Sequence, residues 1–491
     1  MPFFLHLDEG TGLRKSAVLI FSAQTIFGQE TAIRFEKEFG ASRNRYEAAA
    51  FAAMTRAQFH SSKGSTYKRR YLYTCLPKRW YSKKNSTIYF RILQQLADEC
   101  LDLFVDGVTV AGRKYFFICL GLKADQPAQA KAGKFNRSFA NMGRNKGCCY
   151  ACLAGLDLYP FEEVSERPRW LATVDSVIPW NPAEASPLVS IPHRHFQSAT
   201  FFKRDPFHLW KQSIGGHFVA WSIVLLMDLG FFNVQGDSNS VEALFERASF
   251  DFAYWARHEW RGSVRPNMKA FTRQLFHFSK ASTYPFVRCK GSDMLLLTRW
   301  LNHILVNGLV FEDDLLRSGR GLLQVCQADQ RDLLSAMFAG TSGALTFFHI
   351  LHSSGICLEV NESSIMAQGC LCFCKAYMCL ATDCHGLRLC RYHFEPSLHG
   401  FLHFYFELRD CTSVVMNPAC QSCETDEDFV GKVARLARCV HAGTTTIRVI
   451  ERILIKHISS WRNLICEEFY WLDRAKKISS WGAAASVQVT G

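Results

Sequence analysis

The chain has 491 residues, 48% of them hydrophobic, 20 cysteines and a formal net charge of +13. This is the composition of a globular protein large enough for two or three domains and a sizeable core. No stretch approaches 18 uninterrupted apolar residues, so a membrane partner is not expected. The N-terminus, "MPFFLHLDEGTGLRKS", has acids where a signal peptide would be basic. A soluble intracellular protein is therefore expected, with reduced thiols and zinc rather than disulfides.

In chain order, residues 1–60 read as a mostly helical leader, through "AVLIFSAQTIF" and "YEAAAFAAMTRAQF". Residues 61–98 form a basic, aromatic-rich segment. From Ala48 to Ala97 there is no Asp or Glu, while Lys68, Arg69, Arg70, Lys78, Arg79, Lys83 and Lys84 are interleaved with Tyr67, Tyr71, Tyr73, Trp80 and Tyr81. Lys and Arg neutralise phosphates and aromatic faces stack on bases, so this segment is the candidate DNA contact. A solvated basic face is the plainer alternative. The run "KRRYLYTCLPKRWYSKK" also has the composition of a nuclear-import patch. "LDLFVDG" and "KYFFICLGLK" read as two neighbouring strands, with a hairpin around "DGVTVAGRK". The proline-rich stretch 157–200 reads as an irregular crossing. "SATFF" reads as a short strand and "FHLWKQSIGGHFVAWSIVLLMDLGFF" as a long buried helix. Residues 240–310 are largely helical, and 424–455 form an amphipathic helix with an acidic start and a basic end. The domain reading is a leader (1–60), the basic segment (61–98), a core with an insertion (99–235), a helical Cys/His-rich region completing that core (236–455) and a frayed tail (456–491).

Two acids end candidate strands, Asp106 in an Asp-Gly turn and Asp205 in "FFKRDPFHLW". Brought side by side by a sheet, they would bind Mg²⁺ or Mn²⁺ and support phosphodiester exchange. Taken singly, Asp106 is a turn residue and Asp205 a helix cap. Asp125, in "KADQPAQAK", rivals Asp106. His208 and Lys211 share a helix face with Asp205 and could touch the same phosphate or metal. Cys149 and Cys152 form a CxxC between Gly147 and Gly155, the turns of a zinc knuckle, with His193 and His195 as candidate completing ligands. The set Cys370, Cys372, Cys374, Cys379, Cys384, His385, Cys390 and His393 has no familiar ligand spacing and reads as an apolar helix using Cys as a small hydrophobe. His399 and His403 lie one helical turn apart without the Glu of a zinc protease.

The segments "GLKADQPAQAKAGKFNRSF", "KGCCYACLAG", "FKRDPFHLWKQSIGG", "KGSDMLLLTRWL", "FEPSLHGFLH" and "CETDEDFVGKVARLARCVH" together resemble a multicopy transposon-derived family similar to CACTA-type DDE transposases. The resemblance covers roughly residues 100–440. It implies a ribonuclease-H-like α/β fold, a mixed sheet core with a zinc-knuckle insertion and extensive helical flanks. It also implies a divalent-metal centre and DNA strand transfer in the nucleus. In the family's order, the Asp-Gly falls on Asp106-Gly107, the knuckle on Cys149 and Cys152, and the second acid on Asp205 in an Asp-x-x-His with His208. The third acid is assigned to Glu427, which opens a late helix, with Glu259 as its rival. Ala124 stands where a Gly would be expected, and the terminus "SSWGAAASVQVTG" is compatible with a decayed copy. The expected function is a DDE-type transposase or its remnant, with DNA as partner and self-association into a homo-oligomer open. Two alternatives stand beside it, a non-catalytic nucleic-acid-binding module and a scaffold that meets an acidic partner.

Overall fold

In the computed structural model of the chain, the described residues are 1–11, 17–26, 66, 69–82, 86–110, 112–139, 147–193, 199–310, 328–441, 444, 445 and 447–462. The fold is mixed α/β. Strands β1 (Pro2–Thr11), β2 (Ala17–Thr25) and β3 (Tyr71–Pro77) pair antiparallel in sequence order. Helix α1 (Thr87–Val105) and a small hairpin, β4 (Val108–Val110) with β5 (Arg113–Tyr115), then lead to β6 (Ile118–Ala124). β6 lies parallel to β1, giving the order β3-β2-β1-β6. A parallel bridge from Leu122 to Phe202 adds one more short contact beyond β6.

The region read as a helical leader thus contains the two central strands. β1 is buried on both faces from Phe3 to Asp8, so its sequence shows an apolar run instead of the alternation that marks a half-exposed strand. The basic segment is likewise not a separate unit, since its middle is the edge strand β3. "LDLFVDG" belongs to α1, whose buried Tyr89, Leu93, Leu96, Ala97 and Cys100 follow helical spacing. The two runs do not pair as the expected hairpin; a smaller hairpin, β4 with β5, lies within the stretch expected to connect them, and the second run forms β6 beside β1.

Helix α2 (Gln126–Ala132) follows β6 directly, and residues 147–193 cross irregularly through 3₁₀ turns, as the prolines predict. A π-helical segment (Phe207–Ile214) runs into α3 (Gly215–Asp228), which is buried on nearly every side. Around it lie α4 (Val241–His258), α5 (Gly291–Val310), α6 (Ala328–Ser353), α7 (Val360–Gly386) and α8 (Pro396–Arg409). The short strands β7 (Cys357–Glu359) and β8 (Val414–Met416) pair antiparallel beside α7. α6 and α7 contain segments long and apolar enough to cross a membrane, and half or more of each segment is buried inside the protein. Cys370, Cys374 and Cys384 are buried along α7, as expected of small apolar residues. The late amphipathic stretch is two helices, α9 (Glu424–Arg438) and a second over 447–462.

α9 packs across β1. Gly10 makes this approach possible, because a Cβ there would lie 2.7 Å from the Cβ of Ala434 and 3.1 Å from Val430. Beside α8, Glu395 accepts from His217 Nε2 at 2.9 Å and His393 Nε2 at 3.0 Å. Burial pushes this carboxyl up, but the two imidazoles outweigh it and hold it down at about 2. Its contribution to stability is present above about pH 4.5 and is lost as pH falls toward about 2. Glu395→Gln should therefore remove about 2 kcal/mol of acid-sensitive stability, read as a smaller difference between urea midpoints at about pH 6 and about pH 3.

Candidate metal centres

Three carboxylates lie near enough to influence one another's charge at one end of the sheet. Leu7 on β1 is in register with Ala124 on β6. The next residues, Asp8 and Asp125, therefore sit side by side on parallel neighbours spaced about 4.8 Å apart. α9 supplies the third acid. Glu427, Val430 and Ala434 share one helical stripe, and since Val430 and Ala434 lie against Gly10, Glu427 falls beside Asp8. The side chains of Asp8 and Glu427 are hydrogen-bonded to each other.

The electrostatics of the cluster follow from this crowding. Burial, then the charge and hydrogen bond of Glu427, then the charge of Asp125, push Asp8 up to about 9. Asp125 is also raised, mainly by burial and despite the amide of Ala128 donating to it at 2.8 Å. Burial would raise Glu427 as well, but hydrogen bonds from His208 and Asp8 hold it low. His208 bridges Asp205 (Nδ1 to Oδ2, 2.5 Å) and Glu427 (Nε2 to Oε1, 3.2 Å). Against burial, the Asp205 carboxylate first and Glu427 second keep this imidazole protonated well above its ordinary range.

Asp205 continues the row, three residues beyond the Leu122–Phe202 bridge, yet its oxygens are committed elsewhere. Oδ1 accepts the amides of Phe207 at 2.8 Å and Cys423 at 3.0 Å, and Oδ2 holds His208. Asp205 is thus both a cap and the orienter of His208. Cys423 lies close enough to Asp205 and His208 to make a third ligand. Burial and the neighbouring carboxylates push its thiol up.

The other sequence candidates fall as follows. Asp106 is exposed, caps the C-terminal end of α1 and lies outside the cluster, because the strand it was expected to end is a helix. Glu259 closes α4 and pairs with His303 at 2.8 Å. Lys211 is buried and bound to both oxygens of Glu424 at 2.6 Å, so it is a structural ion pair and not a free phosphate contact. Arg70, expected on a DNA-facing surface, is fully buried and paired with Asp426 at 2.5 Å. Lys78 and Arg79 are exposed and Arg69 half-buried, while Lys68, Lys83 and Lys84 lie outside the described residues. Asp8 is the acid that sequence reasoning passed over, although in "LHLDEG" it closes a largely apolar run.

A second, closed cluster joins the CxxC loop to α8. Cys149, Cys152, His399 and His403 are all buried, with their ligand atoms within 4.8 Å of one another. Cys149 Sγ is 3.5 Å and Cys152 Sγ 3.6 Å from His403 Nε2, Cys152 Sγ is 3.3 Å from His399 Nε2, and the two Nε2 atoms are 3.1 Å apart. Tetrahedral zinc, with Zn–S of about 2.3 Å and Zn–N of about 2.0–2.1 Å, requires S···N edges of about 3.5 Å and an N···N edge of about 3.3 Å. The cluster fits that template. His403 is held neutral, at about 3, by burial and by the nearby Arg204, which leaves its imidazole free to ligate. Gly147 and Gly155 both have positive φ, as the knuckle reading expects, and Arg137 ties the loop to the carbonyls of Cys149, Tyr150, Val177 and Ile178. His193 is not part of the set and binds the Ile191 carbonyl instead; His195 lies outside the described residues. The true partners sit more than 240 residues from the CxxC, a distance at which spacing carries no signal.

A site of this make-up can hold a metal such as zinc, and the expected stoichiometry is about one ion per chain. Elemental analysis of the purified protein checks this, and Cys152→Ser should lose the ion and melt at lower temperature.

Compared with known proteins, the chain matches no family model, no curated protein and no solved structure.

Proposed function

We propose that the chain is a DDE-type transposase, or a remnant of one, built on a ribonuclease-H-like core. Asp8, Asp125 and Glu427 would hold a pair of Mg²⁺ or Mn²⁺ ions, and zinc would occupy the Cys₂His₂ cluster. The observation that carries the reading is the proximity of three carboxylates from β1, the end of β6 and the first turn of α9. An antiparallel start to the sheet, a parallel strand after a helical crossover and acids at its end support the ribonuclease-H-like assignment. The donor set is all carboxylate oxygen, which suits hard divalent ions. When bound, two such ions stabilise the attacking and leaving oxygens of a phosphodiester exchange.

The chain's own residues divide the remaining work. Asp8 and Glu427 share a proton that a divalent cation would displace. Glu427 is only partly buried, with its side chain 34% exposed, so the cluster opens to solvent on that side. Asp205 keeps His208 charged and aimed at Glu427, which puts a fixed positive charge where a phosphate would gain negative charge. Lys78 and Arg79 offer exposed phosphate contacts. DNA as partner and a nuclear location belong to the same proposal.

The test is conversion of supercoiled plasmid to nicked circles by the purified full chain in Mn²⁺, in Mg²⁺ and in chelator. Metal-dependent nicking is expected. Salt-sensitive DNA binding with no nicking in either metal would reject strand transfer and leave a non-catalytic nucleic-acid-binding protein.

A further inference from the structure

We infer that the C-terminal end of α1, together with the β4–β5 hairpin, is a docking face for a basic amphipathic helix of a partner protein. At this corner Leu101, Phe104 and Val105 of α1, Val108 and Val110 of β4, and Phe116 are each 39–59% exposed. They form one continuous surface. A Cβ on Gly107 would collide with the carbonyl oxygen of Tyr115 and lie 3.1 Å from the ring of Phe116, so the hairpin folds tightly against the helix end. The amide of Phe117 donates to the carbonyl of Leu103 at 3.0 Å, which ties the chain beyond the hairpin to the same turn of α1. A contiguous group of large apolar side chains left in water marks an interaction site.

The rim of the face selects the partner. The helical repeat places Leu101 and Val105 on one stripe of α1, and Asp98, Asp102 and Asp106 on the stripe beside it. Asp98 accepts from the side-chain amide of Gln94 at 2.8 Å, and no described Lys or Arg pairs with any of the three acids. From Ile92 to Gly112 the sequence has four acids and no Lys or Arg, in a chain whose net charge is +13. Arg113 and Lys114 follow on β5, where the Lys114 ammonium lies over the ring of Phe116 at 5.2 Å. An acidic rim repels the phosphates of nucleic acid and of anionic lipid, and it attracts Lys and Arg. A helix with an apolar stripe flanked by cations satisfies both parts of the face. Its apolar side chains cover Leu101, Val105 and the hairpin valines, while its cations meet the three Asp. A second copy of this chain, docked through the same face, would instead bring its own acids to the contact.

The experiment titrates the full chain against two fluorescein-labelled peptides of roughly 18 residues, long enough to fold as helices. Both carry Leu at helical spacing along one face; one has Lys at the flanking positions and the other Glu. The net charge of the chain favours the Glu peptide, so tighter binding of the Lys peptide reports the acidic rim. The Lys peptide should bind more tightly, and Leu101→Ser together with Val105→Ser should weaken it about tenfold. Both residues are exposed, so this variant should keep the wild-type urea midpoint. Asp98→Lys together with Asp102→Lys should reverse the preference and admit the Glu peptide. Tighter binding of the Glu peptide to the wild-type chain would overturn the inference. So would a Lys peptide whose affinity neither the serine pair nor the charge reversal changes. Concentration-dependent self-association in sedimentation, abolished by the serine pair, would assign the face to a second copy and not to a partner helix.

Discussion

Replacing Asp8 with Asn is expected to cut metal-dependent nicking by about a thousandfold or more, equivalent to about 4 kcal/mol of transition-state stabilisation. Asp8 is the most buried of the three acids and has both β6 and α9 as neighbours. The variant should fold normally. Asp8 is raised to about 9 in the folded chain, against about 3.9 when unfolded. Its contribution therefore opposes folding increasingly from about pH 4 to about pH 9. Removing the ionisable group relieves that cost, so the urea midpoint near neutral pH should hold or rise while nicking collapses. Asp106→Asn provides the control and should nick at the wild-type rate. Asp205→Asn should give a graded loss, about tenfold, with the alkaline limb of the pH–rate profile moved to lower pH because His208 loses the carboxylate that keeps it charged. A full loss in Asp205→Asn with an unmoved profile would make Asp205 a ligand instead of an orienter.

Asp426→Ala is expected to destabilise the chain by about 3–5 kcal/mol. Asp426 is fully buried between Arg70 at 2.5 Å and Lys123 at 2.7 Å, both also fully buried. Burial alone would raise its carboxyl, but Lys123 first and Arg70 second hold it well below the ordinary range. Ala at this position leaves two buried cations without a counter-charge. The loss should appear as a lower urea midpoint, together with weaker metal binding, because the trio fixes the turn that carries Glu427. Replacing Arg70, Lys123 and Asp426 together with Met, Met and Leu should recover much of the stability. A single Asp426→Ala variant as stable as wild type would mean that water reaches the trio. The linked acid sensitivity has one sign: stability from Asp426 is present above about pH 4 and falls away below it.

The helical half of the fold was legible because its signals are local. The long buried helix from Phe207 to Asp228, the helices over 241–258 and 291–310, and the acidic start of α9 all follow from short-range spacing. The helix that Glu427 opens was legible by the same logic, while its choice as third acid over Glu259 came from the family resemblance. The sheet was read poorly, because β1 and β2 are buried on both faces and lose the alternation that identifies strands. With the first strand misread, the acid expected to end it was placed at Asp106, which the structure puts at the end of α1, and Asp8 on β1 was passed over. The Cys₂His₂ cluster shows the same limit. Each half was visible, as C-x₂-C and as H-x₃-H, but only tertiary structure joins residues 149 and 403. Arg70 was misjudged for a related reason: a run of basic residues does not reveal that its counter-charge lies at Asp426, more than 350 residues away.

The order in which these parts leave the ribosome is unfavourable. β1 and β2 are made more than 400 residues before α9, which covers β1, is complete. At about 5–20 residues per second, the face of β1 that α9 covers waits roughly 20–80 s for its partner. Lys123 and Arg70 wait nearly as long for Asp426, and the acid pair on β1 and β6 waits for Glu427. The nascent chain therefore exposes an apolar sheet face and two unpaired buried-to-be cations throughout that interval, and its carboxylates on β1 and β6 meet Glu427 only at the end of it.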